Sequence, residues 1–118
     1  MKENNVILGK SMDFAVRIVS LYKYLSDEKH ENVMSRQLLK SGTSIGANAT
    51  EAAQGQSGGD FLAKMSISLK EAFETRYWLE LLYRTEYLTA ERYNSMEADC
   101  TELIRILTNI VKNTKAGN

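Results

Sequence analysis

Apolar residues in this chain return at three- and four-residue intervals through four stretches, the spacing of amphipathic helices. The first predicted helix covers 11–25, with Met12, Ala15, Ile18, Tyr22 and Leu25 on one stripe and Phe14 and Leu21 widening it. It dissolves into the charged turn "SDEKHEN". The second covers 33–55 and keeps Leu38, Leu39, Gly42, Ile45, Gly46, Ala49 and Ala53 on one face. The third covers 58–87, with a broad apolar face that includes Met65, Ala72, Phe73, Leu79 and Leu82. The fourth covers 89–114 and carries the cleanest heptad-like seam, from Tyr93 and Met96 through Cys100, Leu103 and Leu107 to Ile110; the last residues are expected to fray.

Local signals support these starts. Ser57 and Asp60 have capping-box spacing ahead of the third helix. Thr89 suits an N-cap and Glu91 the positive end of the fourth helix dipole. Short connections favour antiparallel neighbours, so the sequence predicts an all-α, up-down-up-down four-helix bundle, with 1–118 forming a single domain. The absence of proline agrees with long uninterrupted helices.

The stretch "SGTSIGANATEAAQGQSGGDF", residues 41–61, complicates this picture because glycine and small residues crowd it. It lacks the Lys-Ser/Thr pair of a Walker loop and follows no strand, so phosphate-loop chemistry is a poor fit. Its helical spacing continues unbroken through both interior glycines. Each costs about 1 kcal/mol relative to alanine, a loss that close approach of a neighbouring helix can offset. Gly42, Gly46, Ala49 and Ala53 are therefore expected to form a close-packing face.

Charge and chemistry narrow the function. The chain has 15 basic and 15 acidic residues, so no basic arm advertises nucleic acid. One cysteine excludes an internal disulfide framework, and neither a secretory signal nor a membrane span is evident, which predicts a soluble cytoplasmic protein. Glu51, Glu71 and Glu74 are the nearest approach to a carboxylate metal site. The paired Glu-x-x-His motifs of di-iron bundles are missing, and His30, the only histidine, falls in the first connection. Cys100 sits on the core seam, as a small buried residue would. No catalytic, cofactor or metal site is expected, and the chain is not read as an enzyme.

Three other features carry the functional expectations. Ser41, Ser44, Asn48 and Glu51 make a polar seam beside the glycine face. A hairpin centred near Ser57 and Gly58 would set Glu51 level with Lys64, Asn48 with Ser68, Ser44 with Glu71 and Ser41 with Glu74. Those pairs would fix the register of the two helices or serve a subunit contact. Tyr77 and Trp78 diverge by about 100° on a helix, so one ring leaves the core face and is a candidate for a subunit interface. Arg36 and Lys40, one turn apart, are the candidate nucleic-acid contacts, with a solvated surface as the plain alternative.

Two segments, "RQLLKSGTSIGANATEA" (36–52) and "SLKEAFETRYWLELL" (68–82), resemble the 23S rRNA intervening-sequence proteins, and "DFAVRIVSLYKYL" (13–25) extends the similarity. Ser41, Ser44, Ile45, Asn48 and Glu51 match that family's second helix; Glu71, Glu74, Trp78 and Leu79 match its third. The resemblance implies an antiparallel bundle assembled into a homopentameric ring or barrel, of bacterial type. Some members are encoded within insertions in large-subunit ribosomal RNA genes. The related accessory variability determinant proteins bind a reverse transcriptase and nucleic acid through a strongly basic surface, a feature from which this balanced chain departs. The expectation is a non-enzymatic, self-assembling bundle whose partners are itself and either RNA or a nucleic-acid-processing protein. The alternative is a scaffold that binds protein alone.

Overall fold

The computed structural model describes residues 2–117, which form four helices: α1 (Lys2–Asp27), α2 (Met34–Ala53), α3 (Gly58–Arg84) and α4 (Ala90–Gly117). Among the described residues there is no strand. Each helix packs on the next and α4 returns to α1, giving a bundle 46 × 21 × 19 Å across. The 27 residues of α3 account for about 40 Å of that length at 1.5 Å per residue.

The core follows a three-four alternation. On α1 it runs through Ile7, Ser11, Phe14, Ile18, Leu21 and Leu25. On α3 it uses Met65, Ser68, Ala72, Thr75, Leu79 and Leu82, and on α4 Met96, Cys100, Leu103, Leu107 and Ile110. This is the seam of helices packed knob into hole.

Several sequence expectations change here. α1 begins at Lys2, well before residue 11, because Ile7 carries the core line a further turn. That line passes through Ser11 and leaves Met12, one position round the helix, 63% exposed. α2 ends on Ala53, which is exposed; Ala52 takes the buried place assigned to Ala53, because it lies seven residues beyond the buried Ile45. α3 stops at Arg84, where the chain reverses through Glu86 at φ 70°. α4 runs to Gly117, three residues beyond the expected end at 114.

Capping fixes the ends that connect. Ser57 accepts a hydrogen bond from the Asp60 amide at 3.1 Å, and Thr89 accepts from the Arg92 amide at 3.2 Å. The start of α2 uses a less familiar device. Its N-cap, Val33, has no capping side chain, and the buried Glu31 substitutes. The Glu31 carboxylate accepts from the amides of Val33, Met34 and Ser35 at 3.2, 3.1 and 2.8 Å. Ser35 returns a hydroxyl bond to the Glu31 carbonyl at 2.6 Å. Three of the four orphan donors of a helix start are thus met by one side chain.

Candidate interaction surfaces

The seam between α2 and α3 divides into a buried part and a rim. Inside, the Ser41 and Thr75 hydroxyls are hydrogen-bonded at 2.9 Å, and Ser68 donates to the Ile45 carbonyl at 2.7 Å. At the rim Lys64 pairs with Glu51 at 2.8 Å. Along α2 from Ser41 to Glu51, the partners on α3 run back from Thr75 to Lys64.

Of the four level pairs expected from sequence, this ion pair alone is made. Ser44 donates to the Lys40 carbonyl at 2.6 Å and Asn48 to the Ser44 carbonyl at 2.8 Å, both within their own helix. Short polar side chains at a helix edge find the preceding turn closer than a neighbouring helix. Ser41 meets Thr75 in place of Glu74, one position round α3, because Thr75 occupies the core line. Thr75 was not singled out in the sequence; its seven-residue spacing from Ser68 is the signal that marks it. Glu74 faces outward and accepts from the Trp78 indole at 3.1 Å. Partial burial, then the Glu74 charge, raise the Glu71 pKa above the usual carboxylate value; Lys40 and Lys70 oppose the shift.

The glycine face of α2 lies against α1. A Cβ built on Gly42 would stand 2.8–2.9 Å from three Ile18 carbons. One on Gly46 would meet the Ser11 hydroxyl at 3.2 Å. Ala49 is fully buried beside them. The opening of the small-residue stretch is therefore helix in close contact, with the tighter approach at Gly42.

Other candidate residues lie apart from one another. Tyr77 is 60% exposed and meets the half-buried Trp78 edge-on, with centroids 5.0 Å apart. Phe73, one turn earlier, is also exposed and lies under the Arg76 guanidinium. Arg36 and Lys40 are exposed and join none of the ion pairs among the described residues. His30 is exposed in the first connection at φ 54°. The Cys100 thiol is buried, donates to the Ala72 carbonyl, and is pushed by burial up to about 12. Among the described residues no group of three or more His, Cys, Asp or Glu side chains is placed to hold a metal ion, and no helix is long and apolar enough to cross a membrane.

The outer side of α1 was not anticipated. Met12 and Val16 are each more than 60% exposed, and Val19 is exposed beside them. The charged residues of that stretch turn away: Lys10 pairs with Glu102, Arg17 with Asp99, and Asp13 lines a recess with residues of α4. Val16 lines a separate recess with Arg17 and Arg92, whereas toward α2 Leu8, Met12 and Ala15 leave an uncharged surface that continues across Thr43, Ala47 and Thr50 and holds a shallow groove of about 360 Å³. Its sequence signal is the set of apolar residues on α1 that fall off the core line.

Comparison with known proteins gives a consistent placement. The family described as 23S rRNA-intervening sequence protein matches residues 3–109. A solved structure of a protein of unknown function from the S23 ribosomal protein family of Bacteroides thetaiotaomicron VPI-5482 is 58% identical, with a TM-score of 0.92 over 93% of this chain and 98% of that one. No curated protein matches. The match across most of the length, together with the four-helix fold, places this chain in the 23S rRNA-intervening sequence protein family.

Proposed function

We propose that this protein is a non-enzymatic, self-assembling module: an antiparallel, up-down-up-down bundle that works in the cytoplasm as a homo-oligomeric ring. The reverse order of the α2–α3 partners supports the antiparallel arrangement, and the family resemblance supplies five as the subunit number. One observation carries the self-assembly reading. A quarter of the residues are charged, yet the outer side of α1 and α2 presents an uncharged surface around Met12, Ala15 and Ala47. Contiguous exposed apolar surface on a small protein marks an interaction site.

A second reading adds RNA, or a protein that processes it, as the partner of the assembled ring. Arg36 and Lys40 support it, being exposed and free of ion pairs among the described residues. One copy offers little positive potential, but repetition around a ring multiplies a weak contact. Against it stands the plain scaffold, whose ring binds protein alone.

Light scattering on a sizing column, with and without structured RNA at low and high salt, tests both readings. An oligomer in every condition is the expected result, and a strict monomer would refute self-assembly. RNA uptake at low salt that reverses at high salt, and is lost on reversing the charges of Arg36 and Lys40, supports the second reading. An RNA-indifferent oligomer leaves the scaffold.

A further inference from the structure

We propose that the recess between α1 and the first turns of α4 binds a small organic monocarboxylate, with its charge on Arg92 and its apolar body on Leu21 and Met96. The proposal stands apart from the self-assembly reading, since no residue lines both this recess and the α1–α2 groove.

The recess gathers cations without acids. It encloses about 270 Å³ and is lined by Val16, Arg17, Ser20 and Leu21 of α1 and by Arg92 and Met96 of α4. Two guanidiniums face it and no carboxylate does. Arg17 is partly committed, pairing with Asp99 and donating to the Ser95 hydroxyl at 2.8 Å. A guanidinium carries five N–H donors, so some remain for a ligand. Arg92 is wholly uncommitted. Among the described residues its backbone amide bonds Thr89, while its side chain makes no ion pair and no hydrogen bond. The residues three and four places from it on α4 are Leu88, Thr89, Ser95 and Met96, so its own helix offers no acid at pairing distance. Glu91, adjacent in the chain, lies 100° round the helix.

Such a placement is unfavourable until an anion arrives. Arg92 is the third residue of α4, at the end where the helix dipole is positive and favours negative charge. A second guanidinium lining the same recess adds like-charge repulsion. Tyr24 holds Arg92 in position, the guanidinium carbon lying 3.9 Å from the ring centroid, and leaves its charge unneutralised. Both arginines are thus anchored by other side chains, which limits the ordering cost of binding.

The lining selects the class of anion. One of the two guanidiniums lacks a carboxylate partner, which matches a single negative charge, and a planar carboxylate fits the guanidinium fork bidentately. Leu21 and Met96, both buried, form an apolar floor, and the exposed Val16 an apolar wall. The volume exceeds the roughly 150 Å³ that encloses benzene and falls below the roughly 300 Å³ at which drug-sized pockets begin. The occupant is therefore an acid with a compact apolar body, such as an aryl carboxylate.

Titration of isotope-labelled protein with benzoate, followed by amide NMR shifts, tests the site. Benzamide keeps the ring without the charge, and acetate keeps the charge without the ring. Benzoate is expected to bind saturably, shifting the amides of Ser20, Leu21, Arg92 and Met96. Benzamide and acetate are each expected to bind about tenfold more weakly or worse, as is benzoate to Arg92→Met. The absence of saturable shifts overturns the proposal. So does benzamide or acetate binding as tightly as benzoate, or an undiminished affinity in a folded Arg92→Met chain. The ligand comparison uses the natural chain alone and decides the matter even where the substitution unfolds it.

Discussion

Substituting alanine at Gly42 and at Gly46 changes the same helix by the same methyl group, yet the two are expected to act in opposite directions. Each replacement gains about 1 kcal/mol in helix propensity. At Gly42 the new Cβ falls 2.8–2.9 Å from Cγ1, Cγ2 and Cδ1 of Ile18, a side chain with no exposed surface. Two of those carbons are the branches at Cβ, which cannot swing aside without moving α1 or leaving their rotamer. Overpacking of this kind costs about 1–3 kcal/mol, so Gly42→Ala is expected to destabilise by up to about 2 kcal/mol. At Gly46 the nearest atom is the Ser11 hydroxyl oxygen at 3.2 Å, beside an open groove. A hydroxyl can rotate, so most of the propensity gain survives and Gly46→Ala is expected to stabilise by up to about 1 kcal/mol.

Urea unfolding at a single protein concentration gives the ordering directly, because the proposed assembly would make apparent stability depend on concentration. The midpoint is expected to rise for Gly46→Ala and fall for Gly42→Ala, with similar slopes. Ile18→Val, which removes the Cδ1 contact, costs about 0.5–1.5 kcal/mol alone and should cost less beside Gly42→Ala. A Gly42→Ala protein as stable as Gly46→Ala would refute the claim that α1 and α2 meet most closely at Gly42.

The remaining predictions concern single groups. Glu31→Ala strips the acceptor from three amides and is expected to lower stability by about 1–3 kcal/mol in thermal unfolding, with Glu31→Gln recovering part; no change in either would remove the capping role. For Glu71 the folded pKa lies above the ordinary 4.5, so the native state holds its proton more tightly than the unfolded chain. That contribution is complete below 4.5 and is lost as pH rises through the folded value; a stability–pH profile that Glu71→Gln leaves unchanged would contradict it. Cys100, at about 12 against 9.0 unfolded, is expected to erode stability as pH rises above 9 and to react with maleimide at neutral pH only as fast as the chain opens. Rapid labelling of the native protein would contradict its burial. Thr75→Ala is expected to cost about 1–3 kcal/mol by leaving the buried Ser41 hydroxyl short of a partner, and an unchanged melting temperature would place the pair outside the core's energetics.

How much of this was legible follows from what periodicity encodes. The number of helices, the seam on α4 and the caps at Ser57 and Thr89 depend on local sequence, and local sequence supplied them. The core line of α1 was harder. A stripe through Met12 and one through Ser11 differ by a single step round the helix, and hydrophobicity favours Met12. The choice of Ser11 is made by α2, which presents Gly46 opposite, where a short side chain fits. Likewise Ser44 and Asn48 had plausible partners on α3 but find nearer carbonyls on their own helix. The Glu31 cap was hidden because its carboxylate reaches amides two to four residues ahead, outside the familiar Ser-x-x-Glu pattern.

The misassigned methionine is also the most informative residue for function. An apolar stripe read from sequence says that a residue avoids water, and it cannot say which solid surface replaces the water. Ser11 in the core and Met12 outside invert the usual order of polarity on α1, at positions where the reverse would be expected from burial alone. If the bundle acted as a solitary monomer, Met12 and Val16 would expose apolar area without return. The second protein surface proposed over α1 would give those side chains a site of burial of the ordinary kind. Under the proposed self-assembly the inversion follows from two constraints acting on one helix: α2 demands a small residue on the inner side, and the proposed contact between copies would demand apolar ones on the outer side.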